Sequence, residues 1–321
     1  LDPRTGAVKV MASFPTYDPN DLAAGPSALT KLARSGGSTL NRATQAGYLP
    51  GSTFKVVTAI AAIDSGRYTP DSVLSGASPV TISGVPLEND GGESFGDITL
   101  TQALTNSVNT VFAPVAVAVG KQTMARYMNR LGFDAPPPLD LPADERRASG
   151  EYAGDKLLSP TSDLVDVGRM GIGQDKLEVT PLQMAMVAAA VANRGTLMTP
   201  HLTNRVIDKD GRTVEQIKPT VFSDVMSPQT AAAVGEMMSH VVNDGGTGTA
   251  AALPGITVAG KTGTAEIGNS SAINQVSFIA FAPLEDPRIA IAVTVERSTG
   301  EGGTIAAPIA KAVMQSLLGD G

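Results

Sequence analysis

The sequence predicts an α+β fold in which a sheet built from both chain ends carries a helical insertion. Three observations support this. Residues 256–296 hold three runs of β-branched or alternating apolar residues separated by short turns. The stretch from about 52 to 249 is dominated by apolar residues at helical spacing. A strand-like alternation also opens the chain at residues 7–13.

Taken in order, Ala7–Ser13 alternates after the turn Thr5-Gly6 and predicts a strand, and a polar, Gly/Pro-dotted loop then runs to Gly51. From Ser52 an Ala-rich apolar helix extends to the stop Ser65-Gly66. Turn formers fill 71–98 around a short strand at Val80–Ile82, and helices are predicted over Thr99–Gly120 and Gln122–Leu131. Ala135-Pro-Pro-Pro138 breaks the pattern. Further helices are predicted at Thr161–Met170, Thr180–Asn193, where Thr180-Pro181 supplies a cap and a first-turn residue, and Pro228–Val242. After the loop Asn243–Gly248 come strands at Ile256–Ala265, Gln275–Ala282 and Arg288–Glu296, an antiparallel meander. The helix Ile305–Leu318 has an apolar face suited to cover one side of that sheet.

Composition removes whole classes of chemistry. The 321 residues carry 24 Lys+Arg against 31 Asp+Glu, a net charge of −7, which argues against a nucleic-acid partner, since phosphate binding needs a dominant basic face. The absence of Cys excludes disulfides, thiolate metal sites and Cys nucleophiles, and two His, His201 and His240, do not make a His-rich metal centre. No metal and no cofactor is expected. No apolar run reaches the roughly 18 residues needed to span a membrane. The chain opens at Leu1 in a turn, and is expected to be an excised piece whose N-terminal signal or anchor lies elsewhere.

Three familiar patterns fail on context. Gly255–Thr262 matches the P-loop literally, but the loop would be the β-branched Ile256-Thr257-Val258 and more strand would follow it. Gly246-Thr-Gly248-Thr-Ala-Ala251 matches a loose dinucleotide fingerprint, yet follows a helix and reads as a loop. Gly92-Glu-Ser94-Phe-Gly96 matches a hydrolase elbow but lies among turn formers.

Ser52-Thr53-Phe54-Lys55 is different. A Ser and a Lys three apart share one helix face, and a Ser in the first turn sits where unpaired N–H groups favour developing negative charge. Apolar neighbours Phe54, Val56, Val57 and Ile60 would desolvate Lys55 and lower its pKa toward that of a useful base, so the pair can replace the missing histidine. Alone, such a spacing arises by chance roughly once in a chain of this composition. Two companions add weight. Ser107-Val108-Asn109 offers a hydroxyl to relay a proton and an amide to hold substrate. Lys261-Thr262-Gly263 offers a carboxylate site and, at Gly263, room for a substrate backbone beside a strand edge.

The ordered set Ser-x-x-Lys, Ser-x-Asn, Lys-Thr-Gly is the signature of penicillin-binding proteins and serine β-lactamases. The chain resembles the transpeptidase domain of class B penicillin-binding proteins along nearly its whole length, through Leu1–Val8, Asn41–Ala43, Pro50–Thr58, Gly171–Gln174, Thr180–Met184, Gly195–Pro200 and Gly260–Glu266. Leu87–Glu93 and Phe278–Pro283 are most similar to the actinobacterial penicillin-binding protein A group. The resemblance implies an antiparallel sheet flanked by helices next to an all-helical subdomain, here about 1–50 with 250–321, and 52–249. It further implies that Ser52 attacks the carbonyl between the last two D-alanines of a peptidoglycan stem peptide, aided by a neutral Lys55. The acyl-enzyme then passes to a neighbouring amine, with backbone N–H groups of Ser52 and Thr264 as the oxyanion hole. β-Lactams would acylate the same serine. The expected setting is the extracytoplasmic face of the bacterial membrane, anchored by a segment outside this sequence, with a membrane glycan polymerase and cell-wall machinery as partners.

Ile267–Gln275 departs from the family by being short, polar and Trp-free, which bears on acceptor-side contacts. A β-lactamase would need a Glu with an Asn four residues on, and Glu145 is followed by Arg146-Arg-Ala-Ser149 without it. A non-catalytic penicillin sensor stays open as an alternative.

Overall fold

The computed structural model describes residues 1–34, 38–267 and 273–319. At its centre is helix α1 (Lys55–Asp64), fully buried from Lys55 to Ala62. A helix apolar on all sides must be wrapped, and α1 is packed against α3 (Asn109–Val119), α4 (Lys121–Arg130) and α6 (Pro228–Asn243). Helix α2 (Leu100–Thr105) lies between α1 and α3 in sequence, and α5 (Pro181–Ala192) between α4 and α6. Side chains set the starts: Thr99 and Gln102 form a capping box on α2, Thr180 caps α5, and Ser227 caps α6.

The sheet is the predicted meander. Strand β1 (Ala259–Glu266) pairs antiparallel with β2 (Asn274–Ala282), and β2 with β3 (Ile289–Ser298), with Lys261 opposite Ile279 and Gly263 opposite Ser277. Beyond its first residue β2 is buried throughout. Val276, Phe278, Ala280 and Ala282 face the C-terminal helix α7 (Ala306–Leu318), whereas Ile279 and Phe281 join the larger core shared with the helices. Two buried faces explain why this strand reads as a continuous apolar run. Helix α5 covers that second face, packing on β2 and β3.

Several boundaries differ from expectation. The helix predicted from Ser52 begins as a 3-10 turn, Gly51–Phe54, and becomes α-helical at Lys55. The single helix predicted over 99–120 is two, because Ser107 adopts a left-handed conformation (φ 58) between α2 and α3. Apolar spacing on the two sides stays in phase, so periodicity does not register the break. Of 161–170 only Val167–Met170 is helical, started by Asp166 Oδ1 accepting from the Gly168 and Arg169 N–H groups.

The strand expected at 7–13 does not form. Ala7 makes one isolated parallel bridge to His201. Leu1 and Ala290 of β3 exchange both backbone hydrogen bonds at 2.8 Å, but the turn closed by Gly6 N–H on Asp2 O then carries the chain away. A groove of about 1040 Å³, lined by Val8–Phe14 on one side and Ile289–Arg297 on the other, separates the two segments. Small hairpins unmarked by the sequence pattern also occur, such as Gly150–Ala153 with Lys156–Leu158 and Arg205–Ile207 with Thr213–Gln216.

Candidate active site

The site lies where the turn bearing Ser52 meets strand β1, an edge of the sheet. The approach is close because glycines permit it. A Cβ at Gly51 (φ +52) would stand 2.9 Å from the Thr264 carbonyl oxygen, and one at Gly263 would collide with Ser277 Oγ and reach within 2.6 Å of Pro50 O. The clearance that Gly263 provides is therefore toward the serine-bearing turn, a tighter requirement than the passage for substrate expected from the sequence. From the other side Phe54, fully buried, meets Phe133 edge-to-face at 5.7 Å and anchors the turn in the helical core.

Lys55, with no exposed surface, is the hub. Its Nζ lies 2.9 Å from Ser52 Oγ, 2.7 Å from Asn109 Oδ1, 2.5 Å from the Ser107 carbonyl oxygen and 3.2 Å from Ser107 Oγ. The left-handed turn at Ser107 aims both its carbonyl and its hydroxyl at this point, so the helix break is what assembles the site. Ser107 Oγ also accepts from Lys261 Nζ at 2.9 Å, which places one hydroxyl between two lysines. Lys261 donates again to the Thr262 carbonyl at 3.1 Å, and Asn109 Nδ2 to Glu88 O at 3.1 Å.

Electrostatics follow from burial. Desolvation first, and the Lys261 cation second, hold the Lys55 pKa well below its ordinary 10.5, with Asp90 opposing. Burial alone lowers Lys261 to about 7. A neutral Lys55 has two N–H groups and one lone pair. The Ser107 carbonyl and Asn109 Oδ1 are pure acceptors and claim both N–H groups, which leaves the lone pair for the Ser52 hydroxyl proton. That is the arrangement of a nucleophile with its base.

The structure thus joins Ser52, Lys55, Ser107, Asn109, Lys261 and Thr262 in one hydrogen-bonded cluster, with Gly263 and Thr264 on the adjoining strand. Thr264 Oγ1 accepts from Gly302 N–H at 3.1 Å. Sequence reading missed the Ser107 carbonyl, Gly302, and Thr247, whose hydroxyl lies 2.6 Å from that of Thr262. Thr247 falls in the Gly246–Gly248 stretch that reads only as a loop, and no spacing in the sequence ties it to Thr262. Glu145 lies in the 3-10 turn Ala143–Glu145, and among the described residues no hydrogen bond or ion pair links it to the cluster. No group of three or more His, Cys, Asp or Glu among the described residues could hold a metal ion. Of the atypical 267–275 segment, residues 268–272 lie outside the described residues.

A family model described as the penicillin binding protein transpeptidase domain matches residues 1–315. The chain belongs to the penicillin-binding protein transpeptidase family. Peptidoglycan D,D-transpeptidase PbpA of Mycolicibacterium smegmatis is 36% identical over 338 aligned positions, covering 100% of this chain and 66% of the relative. PbpA of Mycobacterium tuberculosis is 34% identical, covering 99% and 66%. This transpeptidase-family chain therefore spans about two thirds of the length of those curated relatives. Among solved structures, the imipenem acyl-enzyme complex of penicillin-binding protein A from M. tuberculosis superposes with a TM-score of 0.86 at 32% identity, covering 99% of this chain and 72% of that one. The D,D-transpeptidase domain of a peptidoglycan glycosyltransferase from Eggerthella lenta gives 0.83 at 34% identity, covering 99% and 76%. The expected likeness to the actinobacterial penicillin-binding protein A group and the α+β fold are both borne out.

Proposed function

We propose that the chain is a D,D-transpeptidase domain that cross-links peptidoglycan stem peptides through an acyl-enzyme on Ser52, and that β-lactams acylate the same serine. The observation that carries this reading is the placement of a buried, pKa-lowered Lys55 within 2.9 Å of Ser52 Oγ. Relatives named peptidoglycan D,D-transpeptidase, and a structural neighbour described as an imipenem acyl-enzyme complex, support it.

In the first half-reaction Lys55 Nζ takes the Ser52 proton as Oγ bonds to the carbonyl carbon between the two terminal D-alanines. Negative charge on the carbonyl oxygen is met by the backbone N–H groups of Ser52 and Thr264. The proton then reaches the leaving nitrogen through Ser107 Oγ, which lies 3.2 Å from Lys55 Nζ and 2.9 Å from Lys261 Nζ. The C–N bond breaks and D-alanine departs. An acceptor amine next attacks the ester carbon, gives up its proton along the same path, and returns Ser52 as the hydroxyl. Asn109 orients the donor peptide amide, and Lys261 with Thr262 holds its terminal carboxylate.

The domain would act at the extracytoplasmic face of the membrane, beside a glycan polymerase and other cell-wall machinery. No helix among the described residues is long and apolar enough to cross a membrane.

The test is release of D-alanine from a pentapeptide stem analogue with formation of the amide-linked product when an acceptor amine is added. Wild-type protein should yield both and Ser52→Ala neither. Hydrolysis of a β-lactam with no peptide turnover would indicate a β-lactamase, and lasting acylation with no peptide turnover would indicate a sensor.

A further inference from the structure

The loop after α6, Asn243–Gly248, reads in the sequence as a connection. In the structure it brings Thr247 beside the Ser52–Lys55–Lys261 cluster. The Thr247 side chain is exposed, yet its backbone is fixed: its N–H reaches Thr105 O at 3.4 Å, and the next N–H, of Gly248, donates to Val241 O at 2.9 Å. Gly303 packs so closely against it that a Cβ there would collide with Thr247 O. From this held backbone, Thr247 Oγ1 lies 2.6 Å from Thr262 Oγ1.

Thr262 Oγ1 carries one proton and two lone pairs. Lys261 Nζ, 3.5 Å away, approaches one lone pair weakly, since its shorter bonds go to Ser107 Oγ and the Thr262 carbonyl. If nothing else engaged the hydroxyl, its proton would be free to turn toward any acceptor nearby. When Thr247 O–H donates to Thr262 Oγ1, both lone pairs are engaged and the Thr262 proton is left available to a ligand acceptor.

We propose that Thr247 is a positioning residue for ligand carboxylates: it orients the Thr262 hydroxyl as a donor to the anionic end of the substrate. It thereby contributes to selecting peptides and β-lactams that end in a free carboxylate. The proposal rests on the transpeptidase reading above, because it takes the anionic end of a D-alanine-terminated donor as the group recognised. A well-aligned hydrogen bond to a carboxylate supports about tenfold discrimination, and this sets the size of the expected effect.

The experiment compares second-order rate constants for acylation of Ser52 by benzylpenicillin and by its methyl ester, in wild type, Thr247→Val and Thr247→Ser. Valine keeps the shape and removes the donor, whereas serine keeps the donor. The expected result is that the acid-to-ester rate ratio falls about tenfold in Thr247→Val and returns to near the wild-type ratio in Thr247→Ser. Equal losses on both ligands would show a merely structural role and overturn the proposal, as would an unchanged ratio or a serine variant that behaves like valine. Wild-type protein that neither ligand acylates at Ser52 would instead overturn the transpeptidase reading, and Thr247's role with it.

Discussion

Replacing Gly263 with Ala tests whether the seat of the serine-bearing turn is as tight as the geometry implies. The new Cβ would collide with Ser277 Oγ and fall 2.6 Å from Pro50 O and 3.0 Å from Thr53 Cγ2. A carbon needs about 3.4 Å from such neighbours, so the turn and β1 must part by roughly 0.8 Å. Ser277 can turn aside, but Pro50 O is backbone and immediately precedes the turn Gly51–Phe54. Displacing a nucleophile by about 1 Å costs on the order of a hundredfold in rate, and overpacking costs about 1–3 kcal/mol of stability. The assay is the acylation rate with a fluorescent penicillin, alongside urea unfolding. Gly263→Ala should acylate roughly a hundred times more slowly and unfold at lower urea. Adding Ser277→Ala removes one collision and leaves the Pro50 contact, so it should restore only part of the loss. Acylation within threefold of wild type, with an unchanged urea midpoint, would refute the argument.

Three further outcomes follow from the buried charges. Lys55→Met should slow acylation by at least about a hundredfold while Ser52 remains the labelled residue, since it removes the proposed general base; an unchanged rate in stopped-flow labelling would remove Lys55 from that role. Acylation by wild type should rise with pH on a limb that reports loss of the Lys55 proton, below the ordinary 10.5. Lys261→Met, by deleting the cation that helps lower that pKa, should move the limb to higher pH, and a limb that stays in place would contradict the coupling. Glu151, buried and facing the charge of Asp175, has its pKa raised to about 8 from 4.5. Because the folded pKa lies above the unfolded one, the unfolded chain releases this proton first and stability falls as pH rises from about 4.5 to about 8. Glu151→Gln removes that contribution, so the variant should gain on wild type by on the order of 3 kcal/mol between pH 5 and 8 in urea unfolding; parallel pH curves would contradict it.

How far the sequence could be read depended on the range of the interaction. The three strands of the meander fall within a few residues of their predicted limits, because alternation and continuous burial are local properties of one strand. Thr180-Pro181 likewise marked the start of α5. Ser52, Lys55, Asn109 and Lys261 were legible through residue type and order. Their convergence was not, since the Lys55–Ser107 contact spans 52 positions and Lys261–Ser107 spans 154. The left-handed Ser107 escaped because it interrupts a helix without disturbing the apolar phase. The partner of Thr262 escaped because Thr247 lies in a stretch with no pattern. At residues 7–13 the alternation was present, but strand pairing needs a neighbour at the right distance, and the groove beside β3 denies it one.

The central claim is that Ser52, activated by Lys55, is the nucleophile of a penicillin-binding acyl-enzyme. The most direct measurement is intact mass of the protein after mixing with benzylpenicillin, followed over hours, with mapping of the modified peptide. The account predicts a single adduct of the full penicillin mass on the peptide containing Ser52, persisting for the course of the experiment. An adduct on another residue, one that vanishes within seconds, or none at all would contradict it.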